Sequence, residues 1–87
     1  MTDGATFRAE DVFNIEGRGV VVTGTLISGE LRKGMRTLID GMETEIMEME
    51  RMNARLDEIT EAGTQAGMLL RGIRKQDVTK GAMLFFG

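Results

Sequence analysis

The sequence contains no cysteine, histidine, tryptophan, tyrosine or proline. Without cysteine there is no disulfide framework and no thiol nucleophile, and without cysteine and histidine there is no Cys/His zinc site. Without histidine there is no side chain that titrates near neutral pH when unperturbed, and no serine–histidine pair for nucleophilic catalysis. The residue types that most catalytic and zinc-binding sites need are therefore missing, and we expect a protein that is not an enzyme.

Excess positive charge and long apolar runs are also missing. The chain has 11 Lys and Arg against 14 Asp and Glu, a formal charge of −3, which argues against tight, indiscriminate binding to nucleic acid. Its apolar stretches fall far short of the roughly 18 residues that a membrane span needs. No signal peptide is visible, so we expect a cytoplasmic protein without a membrane partner. At 87 residues and 41% hydrophobic, the composition is that of one small globular domain.

Twelve glycines divide the chain into short apolar segments. Because glycine readily adopts the positive φ angles of tight turns, this spacing predicts short elements joined by turns. The β-branched residues 20–23 favour a strand that continues to Ile27, and they predict a hairpin with residues 7–15 around Gly17-Arg18-Gly19. We expect Leu31 to lie in a loop. Further short strands are predicted at residues 35–39, 68–70 and 83–86.

The segment from Glu45 to Ala62 is ambiguous. It is rich in Glu, Met, Arg and Leu, which are good helix formers, and its apolar residues recur at steps of three and four. Taken alone, this local pattern favours an amphipathic helix. The competing interpretation is a strand over about residues 44–53, followed by an irregular charged turn.

No nucleotide-binding loop is encoded. The spacing of Gly24 and Gly29 suits a phosphate-binding loop, but Glu30 and Leu31 follow where Lys and Ser/Thr are required. The bunched carboxylates of residues 43–61 are best interpreted as a solvated polar face, with a metal or catalytic role as the weaker alternative.

Arginine 18 differs from the other basic residues because it projects from a turn bounded by glycines. Such a position lets Arg18 reach a phosphate or another partner. The alternative is a side chain that stays in solvent or pairs with Glu16 or Asp11.

Three motifs together resemble a known family. Residues 10–24 (EDVFNIEGRGVVVTG) closely resemble the opening of the second domain of elongation factor Tu and related translational GTPases. Residues 29–34 (GELRKG) are similar to the loop that follows, and residues 69–73 (LLRGI), with Asp77, Val78 and Gly81, are similar to its last two strands. The matches keep the family's order from about Phe7 to Phe86.

The resemblance implies an all-β fold: a small closed antiparallel β-barrel of six to seven strands. Residues 1–87 would be a single domain of the domain-2 type, with its core at about residues 7–86. The resemblance also favours strand and turn over helix in the middle of the chain, because Glu50 and Leu56-Asp57-Glu58 match the family's strand and following turn.

The function that the resemblance implies is that of a non-catalytic binding module of translation elongation factor type. In the family this barrel packs against a separate GTP-binding domain, and in elongation factor Tu it helps to bind the 3′ aminoacyl end of tRNA. We therefore expect aminoacyl-tRNA or the ribosome, and a GTPase domain or other protein, as partners. The expected contact residues are Glu10, Asp11, Val12, Phe13, Arg18 and Glu50.

No cofactor is expected in this chain, because GTP and Mg²⁺ would belong to the GTPase domain. An alternative function is a structural barrel that docks on a GTPase or other protein without binding RNA, which the methionine-rich stretch around Met52 favours. The sequence does not indicate an oligomeric state.

Overall fold

The computed structural model describes residues 4–87, which form nine β-strands and one short 3₁₀ turn at Lys75–Asp77. The longest strands come from the β-branched and alternating segments, as their side chains pack well on a pleated surface. The strands are β1 (Ala5–Ile15), β2 (Gly19–Ser28), β3 (Leu31–Arg32), β4 (Arg36–Ile39), β5 (Met42–Arg51), β6 (Ala54–Leu56), β7 (Glu58–Ile59), β8 (Gln65–Leu70) and β9 (Met83–Phe86).

Six strands form an antiparallel sheet in the order β4-β5-β8-β2-β1-β9, and β6 extends it alongside β5. The two ends of this sheet meet at Arg36 and Gly87. The Arg36 amide donates to the Gly87 carbonyl at 3.0 Å, and the Gly87 amide donates to the Arg36 carbonyl at 2.9 Å. These bonds bring the sheet to a nearly closed barrel, so the predicted antiparallel β-barrel is confirmed.

Every second side chain along the long strands points into the barrel interior and fills it. On β2, Val20 and Val22 are buried, whereas Val21 between them is partly exposed on the outer face. Side chains of successive strand residues point to opposite faces of a sheet, so each long strand supplies both a core row and an outer row. The outer rows of β1, β2, β8 and β5 lie side by side on one face of the sheet.

Glycine 24 allows β1 and β2 to lie close together. A Cβ atom at this position would lie 1.9 Å from the Arg8 carbonyl oxygen and 2.9 Å from the Phe7 ring. The missing side chain therefore leaves room for Phe7, which is fully buried in the core.

The helix that local composition favours for the middle of the chain is wrong, and the predicted strand is confirmed. The irregular charged turn that was expected after it is instead a tight turn followed by the short strands β6 and β7. β5 runs through Arg51, and a two-residue turn then leads into β6. A register shift between Ile46 and Glu48 places a bulge in β5. Its buried residues are consequently Thr44, Ile46 and Met49, and the step of three mimics helical spacing.

The structure also differs from the sequence prediction at Leu31 and at the start of β4. Leu31 does not lie in a loop: it begins β3, pairs with Ile59 of β7 and is 0% exposed. The strand predicted from Met35 begins at Arg36. The small β3–β7 sheet thus contributes two buried side chains to the core.

Within residues 4–87, no helix is long and apolar enough to cross a membrane.

Candidate functional site

The outer face of the barrel carries two parallel rows of residues across β1, β2, β8 and β5. Strand pairing sets both rows, since each residue lies opposite its neighbour on the next strand. The first row is Phe13, Val21, Leu69 and Glu48. The second row is Asp11, Thr23, Gly67 and Glu50. The four-strand register therefore brings together residues from three separate parts of the chain.

A groove crosses these rows because Gly67 has no side chain to fill it. Two adjoining clefts of about 200 Å³ and about 390 Å³ share Val21, Glu50 and Gly67. We call the smaller one the apolar section: its floor includes Ile15, Val21 and Leu69. We call the larger one the polar section, lined in part by Glu10, Thr23, Gln65, Met52 and Arg51.

The turn between β1 and β2 aims Arg18 at the apolar section. The Arg18 amide donates to the Ile15 carbonyl at 3.0 Å, and Gly17 has φ +78°, the positive angle that a type II turn requires at its third residue. The Arg18 Nη2 atom lies 2.7 Å from Glu48 Oε2. The alternative that Arg18 pairs with Glu16 or Asp11 is therefore wrong.

Glutamate 48 also holds a second arginine. Its other oxygen, Oε1, lies 3.5 Å from Nη2 of Arg55 on β6. One carboxylate thus keeps two guanidinium groups at the edge of the apolar section, where both line the groove. An exposed ion pair of this kind contributes about 0–1 kcal/mol to stability, so its main effect is on where the arginines lie.

A bulge in β1 directs Glu10 to the polar section. Ala9 lies opposite Gly24 and Asp11 lies opposite Thr23, so Glu10 has no partner on β2. Its Oε2 atom accepts hydrogen bonds from Thr25 Oγ1 at 2.7 Å and Arg8 Nη2 at 3.0 Å. The Thr25 hydrogen bond, followed by that from Arg8, lowers the pKa of Glu10 below its ordinary value. The carboxylate is therefore ionised at neutral pH.

A family model named elongation factor Tu domain 2 matches residues 19–85. The chain belongs to the elongation factor Tu domain 2 family. The matched region contains β2, β5 and β8, which are three of the four strands that form the groove. The fourth, β1, lies before the matched region.

Two solved structures share the fold of this domain-2 barrel. The crystal structure of bacterial selenocysteine-specific elongation factor EF-Sec superposes with a TM-score of 0.81 at 19% identity, covering 97% of this chain and 14% of that one. The apo structure of translation elongation factor SelB from Methanococcus maripaludis superposes with a TM-score of 0.84 at 24% identity, covering 98% and 19%. The chain thus spans less than a fifth of the length of either protein.

Of the residues expected to contact a partner, the structure places some in the groove of this domain-2 barrel and one in its core. Glu10, Arg18 and Glu50 line the groove, and Phe13 lies in its first row and is 48% exposed. Val12 is 3% exposed and belongs to the core. Because its side chain points inward, the expected surface contact for Val12 is corrected to a packing position.

Asp11 is on the outer face but pairs with a cation. Its Oδ1 atom lies 3.3 Å from Lys80 Nζ, which comes from the segment between β8 and β9. The carboxylate is half-exposed and sits in the second row of the groove face.

Sequence reasoning did not single out Glu48, Arg55 or Gly67 for this site. Glu48 is one of several carboxylates in β5, and nothing in the sequence separates it from its neighbours. The strand register would have identified it, because Glu48 lies opposite Leu69 and beside the Arg18 turn. Among the described residues, no group of three or more acidic side chains is arranged to hold a metal ion.

Proposed function

We propose that this domain-2 barrel is a non-catalytic module of the cytoplasmic translation machinery that binds the 3′ end of an aminoacyl-tRNA in its outer groove. The observation that carries the proposal is the order of chemistry along the groove. Arg18 and Arg55 border one end, an apolar floor follows, and the carboxylates of Glu50 and Glu10 come next.

The chemistry of a charged tRNA end matches this order. Its terminal phosphates are anions that guanidinium groups bind well, and its last base presents an apolar face. The ribose hydroxyls and the amino group of the esterified amino acid can donate hydrogen bonds, and carboxylate oxygens accept such bonds. We therefore propose that the phosphate binds at Arg18, that the base packs on Ile15 and Val21, and that the amino group lies at Glu10.

We propose further that the barrel acts together with a separate GTP-binding domain, which would hold GTP and Mg²⁺. Membership of a translation-factor family supports this partner, as does the small share of EF-Sec and SelB that the chain spans. Contacts from a single module are weak without the gain from linked modules. We therefore expect the isolated chain to bind RNA weakly and in a strongly salt-dependent way.

An NMR titration tests RNA binding directly. The probe is an acceptor-stem minihelix that carries leucine through a non-hydrolysable amide link, added at low salt. We expect the amides of Gly17, Gly19 and Gly67 to shift, and Arg18→Ala to weaken binding about three- to tenfold. Arg74→Ala is the matched control, because Arg74 pairs with Asp77 outside the groove. Groove amides that do not move at low salt would contradict RNA binding.

A second candidate function is protein docking on a GTP-binding domain without RNA. The specific observation in its favour is an exposed apolar pair, Leu38 of β4 and Phe85 of β9, each 67% exposed and lining one shallow cleft. A titration with the purified GTP-binding domain of a translational GTPase distinguishes the two candidates. Shifts at Leu38 and Phe85, with no response of the groove to the minihelix, would favour docking.

A further inference from the structure

Strands β4 and β9 approach each other at the seam of the barrel. Arg36 of β4 and Gly87, which follows β9, exchange two backbone hydrogen bonds of 3.0 Å and 2.9 Å. Along an antiparallel strand, every second residue takes part in the hydrogen-bonded pairs with a given neighbour. The amide and carbonyl groups of Leu38 and Phe85 therefore face the seam as well, and these two residues would form the next hydrogen-bonded pair.

That next pair is not formed in the part of the chain that the structure describes. Within residues 4–87, β4 and β9 are the two ends of the sheet order, and no strand pairing joins them. The seam instead opens into a cleft of about 360 Å³, lined by Leu38 and Phe85 together with Arg36, Thr37 and Glu43. Each of the two strands thus presents a backbone edge to this cleft.

The side chains at this opening do not protect the edge. Natural edge strands usually carry a lysine, a proline or a bulge that prevents another strand from pairing with them. Leu38 and Phe85 are instead apolar, and each is 67% exposed. An apolar, unprotected edge of this kind is the feature to which an extended peptide adds as a further strand.

The two ends of β4 carry opposite charges. Arg36 begins the strand and Asp40 directly follows it, and both are exposed. A peptide antiparallel to β4, with an apolar residue opposite Leu38, would bring the residue two positions earlier near Asp40 and the residue two positions later near Arg36. The complementary peptide therefore has a basic residue at the earlier position and an acidic residue at the later one. Glu43 already pairs with Arg36 at 3.0 Å, but the pair is exposed, so its exchange for a peptide carboxylate costs little.

We propose that the seam between β4 and β9 binds an extended peptide segment of a protein partner by β-strand addition. The segment lies antiparallel to β4, its backbone bonds to the amide and carbonyl of Leu38, and its apolar side chain packs on Leu38 and Phe85. The site lies outside the outer groove and does not depend on RNA binding. It also differs from the second candidate function, because its partner is an extended segment and not the surface of a folded domain.

Three seven-residue peptides, blocked at both ends, test the proposal in NMR titrations of the full chain. The first, Thr-Lys-Thr-Ile-Thr-Glu-Thr, has the complementary charges. The second exchanges its lysine and glutamate, and the third is the first peptide with the isoleucine amide N-methylated. We expect the second to bind about threefold more weakly, because exposed ion pairs contribute little. The third should bind at least about tenfold more weakly, because it cannot donate to the Leu38 carbonyl.

Hydrogen exchange measures the strand pairing itself. The first peptide should slow exchange of the Leu38 amide at least about tenfold, because this amide gains an acceptor. Exchange of the Arg36 amide should not change, since it already donates to Gly87.

Lysine substitutions at the seam provide a second test. Leu38→Lys and Phe85→Lys keep the backbone but add the charge that protects natural edge strands, so each should weaken binding of the first peptide about fivefold. Ile27→Lys is the matched control, because Ile27 is an exposed apolar residue of β2 outside the cleft. Its affinity should equal that of the unmodified protein. Melting temperatures show whether each variant is folded, and the N-methylated peptide tests the unmodified protein if one is not.

Three outcomes would overturn the inference and leave the proposed RNA site untouched. The first is no response of Leu38 and Phe85 to the first peptide at millimolar concentration. The second is equal binding of the N-methylated peptide, which would show an apolar contact without strand pairing. The third is a response of the seam to a purified GTP-binding domain but to none of the peptides, which would favour the second candidate function.

Discussion

Arg18 and Glu48 form an ion pair of 2.7 Å that joins the β1–β2 turn to β5, although 30 residues separate them in the chain. The pair spans the outer face of β8, which lies between β2 and β5 in the sheet. With Arg55 on its second oxygen, Glu48 both positions two cations and competes with any anion that would bind them.

Removal of the Glu48 charge should strengthen phosphate binding. In Glu48→Gln, the single amide oxygen can still accept a hydrogen bond from Arg18, whereas the competing anion is lost to both arginines. We therefore expect minihelix affinity at low salt to rise about two- to fivefold. Stability should change by less than about 1 kcal/mol, because the pairs are exposed. Glu43→Gln is the matched control, as Glu43 pairs with Arg36 at 3.0 Å away from the groove. Weaker minihelix binding by Glu48→Gln would mean that the charge is needed to hold the arginines in place.

Alanine should destabilise the protein at Gly24 but not at Gly67. Gly24→Ala places a Cβ atom 1.9 Å from the Arg8 carbonyl oxygen, and such overpacking costs about 1–3 kcal/mol or more. At Gly67 the nearest atoms to an added Cβ are 3.6 Å away, which is ordinary contact, and we expect stability to be unchanged or slightly higher. Because the added methyl group partly fills the groove, Gly67→Ala should weaken minihelix binding. Urea unfolding and the NMR titration measure the two effects, and equal destabilisation of both variants would contradict the prediction.

The hydrogen bond from Thr25 should control the titration of Glu10. In Thr25→Val the hydroxyl that lowers the pKa of Glu10 most is absent, so this pKa should rise toward its ordinary value. A carboxyl whose pKa is lower in the folded state stabilises the fold above its unfolded pKa. That contribution is lost as the pH falls through the folded pKa, so the unmodified protein should lose more stability in this acidic range than Thr25→Val.

Carbon-detected NMR of the Glu10 carboxyl measures its pKa, and urea unfolding at several acidic pH values measures the linked stability. In a Glu10→Gln background, Thr25→Val should leave the pH dependence of stability unchanged. An unaltered Glu10 pKa in Thr25→Val would show that the hydroxyl does not control the titration.

Leu31 should be essential to the core although it lies in a strand of two residues. Its side chain is fully buried, and truncation of such a leucine typically costs about 2–5 kcal/mol. We expect that range for Leu31→Ala and a change within about 0.5 kcal/mol for Leu38→Ala, since Leu38 is exposed on β4. Chemical unfolding of both variants measures the difference. Similar stabilities would mean that the β3–β7 sheet is not tightly packed on the barrel.

The hairpin of β1 and β2 could be predicted from the residues themselves. The run of β-branched residues 20–23 and Gly17 favour a strand and a turn through local sterics, and the structure has both strands and the i to i+3 hydrogen bond of that turn. The structure at Leu31 and in the middle of the chain is harder to predict from the sequence. A two-residue strand has no alternation to detect, and the bulge of β5 gives its buried residues a spacing that helices share.

The candidate site was predictable in part. The turn that exposes Arg18 is visible in the sequence, but its partner Glu48 is not, because the pairing depends on contacts between β2, β8 and β5. The orientation of Val12 is likewise not visible in the sequence. Its neighbours Asp11 and Phe13 face outward, and only the pleat of the folded strand shows that Val12 faces the core.

The residues alone show which catalytic side chains are missing, where glycines bound short strands, and which motifs resemble the family. Each of these depends on residue identity or on local backbone sterics. Three features depend on how the strands pair in the folded barrel: the carboxylate that holds Arg18, the groove that Gly67 opens, and the position of Met52 at its border. The physical reason is strand register: pairing of distant segments selects which residues share a face, and a one-residue shift would exchange outer and inner side chains.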